Sequence, residues 1–112
     1  MPSLDKSEIL SQIPEELLPE YRVWVEVMFL GILDAAMHHG HRLGADISWS
    51  KDRAQAYWWI SDDGMRDVGS FRWCCDLFNL DPERVRNGVF NRWQQIVMDQ
   101  QKFTNTLAGR SK

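Results

Sequence analysis

The feature that most constrains this chain is an apolar stretch between Pro19 and His39 that predicts one long helix. Pro19 suits the first turn of a helix, and Glu20 places negative charge at the positive end of the helix dipole. Apolar side chains fall on nearly every face of this helix: Val23, Trp24, Val25, Val27, Met28, Phe29, Leu30, Ile32 and Leu33. Such a helix must lie at the centre of a small protein or meet another subunit. Both roles are compatible in a chain of this size, so we expect a central helix and a homodimer through 19–39.

The composition predicts one domain with an all-α fold. A chain of 112 residues, 44% of them hydrophobic, can bury one core without metal or disulfide support. We expect four or five helices around the central one. The expected parts of the chain are an N-terminal arm at 1–18, a helical core at 19–99 and a polar tail at 100–112.

Two further helices are predicted on either side of the central one. Apolar spacing predicts a short helix from Leu4 to Ile13, and Ser50 is a suitable cap for a helix from Lys51 to Ser61. Trp58 and Trp59 are adjacent on the later helix, so they point in different directions. We expect one of them to fill the core and the other to face a partner or a neighbouring element.

The segment 70–93 predicts two helices joined by a very tight turn. The first is expected from Phe71 to Phe78 and is ended by Asn79, which tolerates the left-handed conformation. Asp81 is a good N-cap for the second helix, and Pro82 occupies its first position, where a missing N–H does no harm. Two helices with so short a joint must splay apart, as they do in a helix-turn-helix.

The spacing inside this segment fits the inner contacts of a helix-turn-helix. The motif needs a small residue in its first helix, a turn residue that accepts positive φ, and apolar residues on the inner face of its second helix. The candidates for these positions are Cys75, Asn79, Leu80, Val85 and Val89. Helical hairpins that bind nothing share this pattern, so the spacing alone does not decide the function.

Part of the segment resembles a group of small phage and prophage proteins. In that group a pattern of the form SDD…SFxWxC…LDPxxVR recurs. Here it reads Ser61-Asp62-Asp63, then Ser70-Phe71-Arg72-Trp73-Cys74-Cys75, then Leu80-Asp81-Pro82-Glu83-Arg84-Val85-Arg86. The resemblance covers residues 57–86. It implies a viral or mobile-element origin and a DNA-binding role for the two-helix segment.

The charge distribution makes the second half of the chain the better candidate to face nucleic acid, although the net charge of the whole chain argues against such a partner. The formal net charge is −3. Residues 1–34 contain seven acidic and two basic residues, a balance of −5, whereas residues 71–112 contain seven basic and four acidic residues, a balance of +3. Because lysine and arginine neutralise phosphate, the second half is the part that can face nucleic acid.

Five polar side chains of the second helix are candidate DNA contacts: Arg84, Arg86, Asn87, Asn91 and Arg92. Arginine and asparagine suit the guanine and adenine edges of the major groove, and arginine also binds phosphate. Asp81 and Glu83 weaken this interpretation because they bring negative charge to the tip of the helix. A solvated face with ordinary charges is the alternative.

The sequence favours neither an enzyme nor a membrane protein. It has no glycine-rich phosphate loop, nucleophile elbow or metalloprotease pair. His38, His39 and His41 match no established metal-site spacing and lie near a helix end, where positive charge is favoured anyway. No apolar run is long enough for a bilayer, no signal-peptide pattern is present, and adjacent Cys74 and Cys75 cannot bridge without strain. We therefore expect a cytoplasmic protein without catalytic activity, cofactor or metal.

Two functions from different classes remain as hypotheses. The first is a phage-encoded regulator that binds double-stranded DNA through a helix-turn-helix, as a dimer. The second is a small phage protein that binds and inhibits a host protein through an acidic, Trp-rich surface. Convergence of the basic side chains on one surface would favour the first.

Overall fold

The structure is a computed structural model, and it describes residues 6–99. Its elements are helix α1 (Lys6–Ser11), a 3-10 turn (Glu15–Leu17), and helices α2 (Leu18–Arg42), α3 (Lys51–Ser61), α4 (Phe71–Leu77) and α5 (Pro82–Asn91), followed by a helical segment at 93–99. No strand occurs within that range, and the predicted all-α fold is confirmed. The predicted tail, 100–112, and the first five residues of the predicted arm lie outside the described residues.

Helix α2 is the central column of the fold, as the sequence predicts. It packs most extensively against α3, and it also contacts α1, the 3-10 turn, α4 and α5. One stripe of α2 is buried at helical spacing: Val25, Met28, Ile32, Ala35 and Ala36. The other helices complete the same core with Ile9, Ile60, Phe71, Cys74, Cys75, Val85 and Val89. All five helices therefore share one core that is built on a single stripe of α2.

Helix α2 continues past its predicted end at His39, through Gly40, to Arg42. A glycine inside a helix costs only about 1 kcal/mol relative to alanine. Here it also makes room, because a Cβ added at Gly40 would lie 2.5 Å from the ring of Trp93. The helix is ended instead by Gly44, which has a φ of 90°. The amide of Ala45 then donates a hydrogen bond to the carbonyl of Gly40 at 2.9 Å.

Helix α3 occupies the predicted range, but its start lacks the expected cap. Ser50 is extended at the N-cap position, and its side chain makes no capping hydrogen bond. The two adjacent tryptophans diverge as expected: Trp59 packs on α2 at Gly31, whereas Trp58 is 64% exposed. One indole therefore belongs to the helix packing and the other to the surface.

The apolar spacing of Val85, Val89, Trp93 and Ile96 predicts one helix from Pro82 to Asp99, but helix α5 is shorter. It ends at Asn91, and Arg92 leaves the helical conformation with a φ of −121° before the chain becomes helical again at 93–99. The interruption directly precedes Trp93, whose ring packs against Gly40 of α2. The helix is therefore interrupted directly before the residue whose indole packs on the central helix.

Substitution of Gly40 tests the close approach of the C-terminal segment to α2. Because the new Cβ would meet the Trp93 ring, we expect Gly40→Ala to lower the free energy of unfolding by about 1–3 kcal/mol. Gly88→Ala is the matched control, since nothing lies within 4 Å of a Cβ added at Gly88 in α5. There we expect an increase of roughly 0.5–1 kcal/mol. Urea denaturation measures both; stabilisation by both alanines would contradict the packing role of Gly40.

Candidate functional site

The joint between α4 and α5 has the geometry that the sequence predicts. Asn79 has a φ of 55°, the only positive φ of a non-glycine residue in the described range. The amides of Asn79 and Leu80 bond back to the carbonyls of Asp76 and Cys75 at 3.3 and 2.8 Å, which is the Schellman arrangement. Asp81 then caps α5 by accepting a hydrogen bond from an amide two residues later at 3.1 Å.

The residues predicted to hold the two helices together lie where that role requires. Cys75, Leu80, Val85 and Val89 are buried in the shared core, and Asn79 is exposed in the turn. This packing seats the two-helix unit on the body of the protein. Because a hairpin without a ligand would pack in the same way, the outer surface has to indicate the function.

Four of the five predicted DNA contacts are exposed. Arg84, Asn87 and Asn91 are spaced by three and four residues, so they lie along one face of α5. Arg92 is exposed directly after the helix. We call these four residues the polar face of α5. Arg86 is not part of it, because its side chain is only 9% exposed.

Arg86 joins three parts of the molecule from the inner side of α5. Its Nε donates to the carbonyl of Ile60, its Nη1 to Oε1 of Glu83, and its Nη2 to Oδ1 of Asp63, each at 2.6 Å. The guanidinium also lies 5.0 Å from the centroid of the Phe71 ring, a cation–π distance. The end of α3, the loop that follows it and α5 are thereby connected. This differs from the prediction that Arg86 faces DNA, because its donors are used inside the protein.

The charges around Arg86 stabilise one another. Burial disfavours the charged guanidinium, but hydrogen bonds and the charges of Asp63 and Glu83 outweigh burial and raise the pKa of Arg86. The hydrogen bond from Arg86 is the main cause that lowers the pKa of Asp63, and Arg72, at 3.1 Å, lowers it further. The pKa of Asp63 is lower in the folded protein than its ordinary value of 3.8. The ionised Asp63 therefore adds to the free energy of unfolding at pH values above 3.8, and this stabilisation is lost as the pH falls through the pKa of the folded state.

The described residues from position 71 onward carry no net positive charge. Between positions 71 and 99 there are four arginines and four acidic residues, so the balance is zero. The +3 counted over 71–112 comes from Lys102, Arg110 and Lys112, which lie outside the described residues. The release of counterions from DNA would therefore contribute little affinity at this surface.

A second candidate surface is a groove that runs between α2 and α3 and continues to the loop after α3. Its first part is lined by Val27, Leu30, Gly31, Asp34, Gln55, Ala56 and Trp59. Its second part is lined by Gln55, Trp58, Trp59, Asp62, Met65, Asp67, Val68, Gly69, Ser70 and Phe71. The two parts share Gln55 and Trp59, so they adjoin, and we call them together the apolar groove.

Large apolar side chains in this groove face solvent. Leu30 is 61% exposed, Val68 is 70% exposed, and Val27, Trp58 and Met65 are exposed as well. Contiguous apolar surface of this kind typically marks a binding site in a protein that is otherwise well packed. Tryptophan and methionine are also enriched at protein interfaces. The composition of the groove is therefore that of a protein-binding surface.

The floor of the groove is held in place by Trp59. A Cβ added at Gly31 would lie 2.9 Å from its ring, so α2 presents bare backbone to the indole. Its Nε1 donates to the carbonyl of Gly69 at 2.8 Å, and its ring meets Phe71 edge-on with 5.3 Å between centroids. The indole is therefore positioned before any partner arrives.

The charged residues that line the groove are all acidic: Asp34, Asp62 and Asp67. Burial raises the pKa of Asp34; Arg53 opposes this shift and Asp52 reinforces it. A partly buried carboxylate in such a position favours a cation beside it. The apolar floor of the groove is thus edged by negative charge.

The histidines at the end of α2 belong to an aromatic cluster. His39 lies between Tyr57 and Phe90, with ring centroids at 6.3 and 4.8 Å. His41 Nδ1 hydrogen bonds to a backbone carbonyl at 2.7 Å. Burial lowers the pKa of His38 and of His39, so the neutral rings are the packed form. In the described range, no three residues of the ligating types come together as a metal site.

The two cysteines are buried side by side in α4. Burial raises the pKa of the Cys74 thiol to about 11 and that of the Cys75 thiol to about 12. Thiols rather than thiolates are therefore present near neutral pH, and a thiol is a poor nucleophile. Both residues act as small side chains of the shared core.

No protein-family model, curated protein or solved structure matches this chain. None of the described helices has both the length and the apolar character needed to cross a membrane. The function therefore has to be inferred from the polar face of α5 and from the apolar groove.

Arg86 should matter far more to stability than the exposed Arg92. Arg86→Lys keeps the charge but loses the planar fork that reaches three partners. We expect the free energy of unfolding to fall by about 1.5–3 kcal/mol, a range that allows for the exposure of the carboxylate partners. Arg92→Lys should change it by no more than about 0.5 kcal/mol. Urea denaturation at neutral pH compares them, and equal effects would contradict the structural role of Arg86.

Proposed function

We propose that this chain is a small phage- or prophage-encoded protein that binds a bacterial host protein through the apolar groove. The observation that carries the proposal is the exposed apolar surface around Trp58 and Trp59, which three carboxylates line. Binding energy at protein interfaces concentrates on aromatic anchors in central pockets. A partner held there would have part of its own surface covered, which is how a chain of this size inhibits a larger protein.

The fixed position of Trp59 supports this function energetically. Association loses free energy when side chains and loops become ordered at the interface. Here the indole is already held by Gly31, Gly69 and Phe71. A partner would therefore meet a groove whose floor needs little rearrangement.

Site-specific photocrosslinking tests the proposed function. A photoreactive amino acid in place of Gln55, which lies in both parts of the groove, should crosslink to a protein of the bacterial host. Gln94 is the matched control, because it is an exposed glutamine on the helical segment 93–99 and lines neither part of the groove. Crosslinked products are separated by size and identified by mass spectrometry, and Gln55 alone should yield a discrete product.

A charged residue on the floor gives a second arm to the same experiment. Leu30→Asp should abolish the Gln55 product, because the aspartate would lose its hydration when a partner covers the groove. No crosslink at Gln55, or equal crosslinks at Gln55 and Gln94, would contradict the proposed function. A product made of two copies of this chain would instead support the predicted homodimer through the 19–39 helix, since Val27 and Leu30 belong to that helix.

The polar face of α5 supports a second candidate function, binding of double-stranded DNA by a regulator. Arg84, Asn87 and Asn91 lie along one helical face, and Arg92 follows them, with the side-chain types that read base edges and phosphates. The tight joint at Asn79 presents this helix in the manner of a helix-turn-helix. The net charge of zero over 71–99 makes this the weaker candidate.

A salt titration of binding to random-sequence duplex DNA tests this candidate. If the polar face of α5 contacts phosphate, affinity should fall steeply with salt, and replacing Arg84 and Arg92 by alanine should reduce the slope by about 2. Replacing Arg22 and Arg66, two exposed arginines elsewhere, should leave the slope unchanged. Tryptophan fluorescence gives the signal. No binding at low salt would exclude DNA as the partner of this face.

A further inference from the structure

We infer that the occupant of the apolar groove is a basic amphipathic helix of the partner protein. The inference rests on the proposed function and adds the chemistry of the partner. It follows from three properties of the groove: its position between two helices, the sign of its charges, and the sign of the charges on α2 itself.

The position of the groove favours a helix as its occupant. Proteins recognise extended segments by adding a strand to a sheet edge, but the described range, 6–99, contains no strand to extend. The groove instead lies between α2 and α3, and amphipathic helices bind in grooves of that kind. The exposed apolar residues of α2, Val23, Val27 and Leu30, extend along about 10 Å of the helix. A partner helix with apolar residues on successive turns matches this spacing.

The charges at the groove favour a basic partner. Three carboxylates line it, and no lysine or arginine does. Asp34 lies between the two helices, where burial raises its pKa and Arg53 offsets this shift only in part, so a lysine or arginine placed there would restore more of the interaction that the carboxylate has lost with water. Asp62 and Asp67 lie at the other part of the groove, next to Trp58 and Met65. A helix with apolar residues on one side and cations along its borders complements both features.

The same charges disfavour a second copy of this chain. In a two-fold dimer through α2, each copy would bring its own Asp34 to an edge that is already acidic. Residues 20–34 contain three acidic residues and one arginine, a balance of −2. Like charges brought together at an interface oppose association. A different protein with positive charge is therefore the better complement.

Two synthetic helices test the inference directly. Both are about 18 residues long, share the same leucine face and lack tryptophan, but one carries lysine and arginine on its borders and the other carries glutamate. Their dissociation constants are measured by the fluorescence of the protein and by calorimetry. The basic peptide should bind about tenfold more tightly or better, since three ion pairs at a largely exposed surface together contribute on that order. The difference should shrink between about 0.05 M and 0.5 M salt.

Two triple variants that remove the same charge show whether the carboxylates of the groove cause the preference for the basic peptide. Replacing Asp34, Asp62 and Asp67 by asparagine should remove the preference for the basic peptide. Replacing Asp46, Asp76 and Asp99 removes the same charge from exposed positions outside the groove and should leave the preference intact. Equal loss in both variants would mean that only net charge matters and would overturn the inference.

The remaining outcomes separate this inference from the proposed function. Equal binding of both peptides, abolished by Leu30→Asp, would overturn the basic partner while leaving a protein-binding groove in place. Binding of neither peptide would overturn the inference, and the Gln55 crosslink would then decide the proposed function alone. Self-association of the protein in sedimentation velocity, lost in Leu30→Asp, would assign the groove to a second copy and overturn the inference as well.

Discussion

The constraint on which the whole structure depends is that α2 is apolar on nearly all of its faces, while the other described helices leave part of it uncovered. One stripe, from Val25 to Ala36, is buried by all the other helices together. The face with Val23, Val27 and Leu30 has no helix of this chain over it within the described residues. An apolar face left open on a central helix is costly unless something binds to it, because each buried aliphatic side chain contributes roughly 1.5–3 kcal/mol. The apolar groove is thus a direct consequence of the composition of α2.

The loop after α3 is organised by side chains that belong to the surrounding helices. Arg86 from α5 binds Asp63 and the carbonyl of Ile60, and Trp59 from α3 binds the carbonyl of Gly69. Arg72 from α4 adds an ion pair to Asp63. These contacts place Met65 and Val68 beside the tryptophans, so one network both closes the fold and completes the groove. The SDD segment, which the resemblance to phage proteins includes, has a structural role here in holding Arg86.

Local features of the chain were predictable because they follow from interactions within a few residues. The turn at Asn79 closes α4 because the amides of Asn79 and Leu80 donate to carbonyls three and five residues earlier, respectively, and Asp81 caps the amide two residues later. The position of α2 could also be predicted, since its apolar content allows only a central location. The burial of Arg86 was harder to predict, although one signal existed. It lies between Val85 and Val89 at the edge of the inner stripe. A long side chain at such a position can turn inward if a carbonyl and carboxylates are there to accept its hydrogen bonds.

What the sequence by itself determined is the set of helices, the tight joint at Asn79 and the central place of α2, because capping, glycine and proline chemistry and apolar periodicity act over short distances. What only the tertiary structure decided is which residues share a surface. It placed Trp58 outside and Trp59 inside, took Arg86 out of the polar face of α5, and brought Leu30, Trp58 and Val68 into one groove. These residues are separated by up to 38 positions, and their proximity depends on how α2 and α3 pack. Helix periodicity orders residues within each helix, but it does not specify which faces of different helices meet.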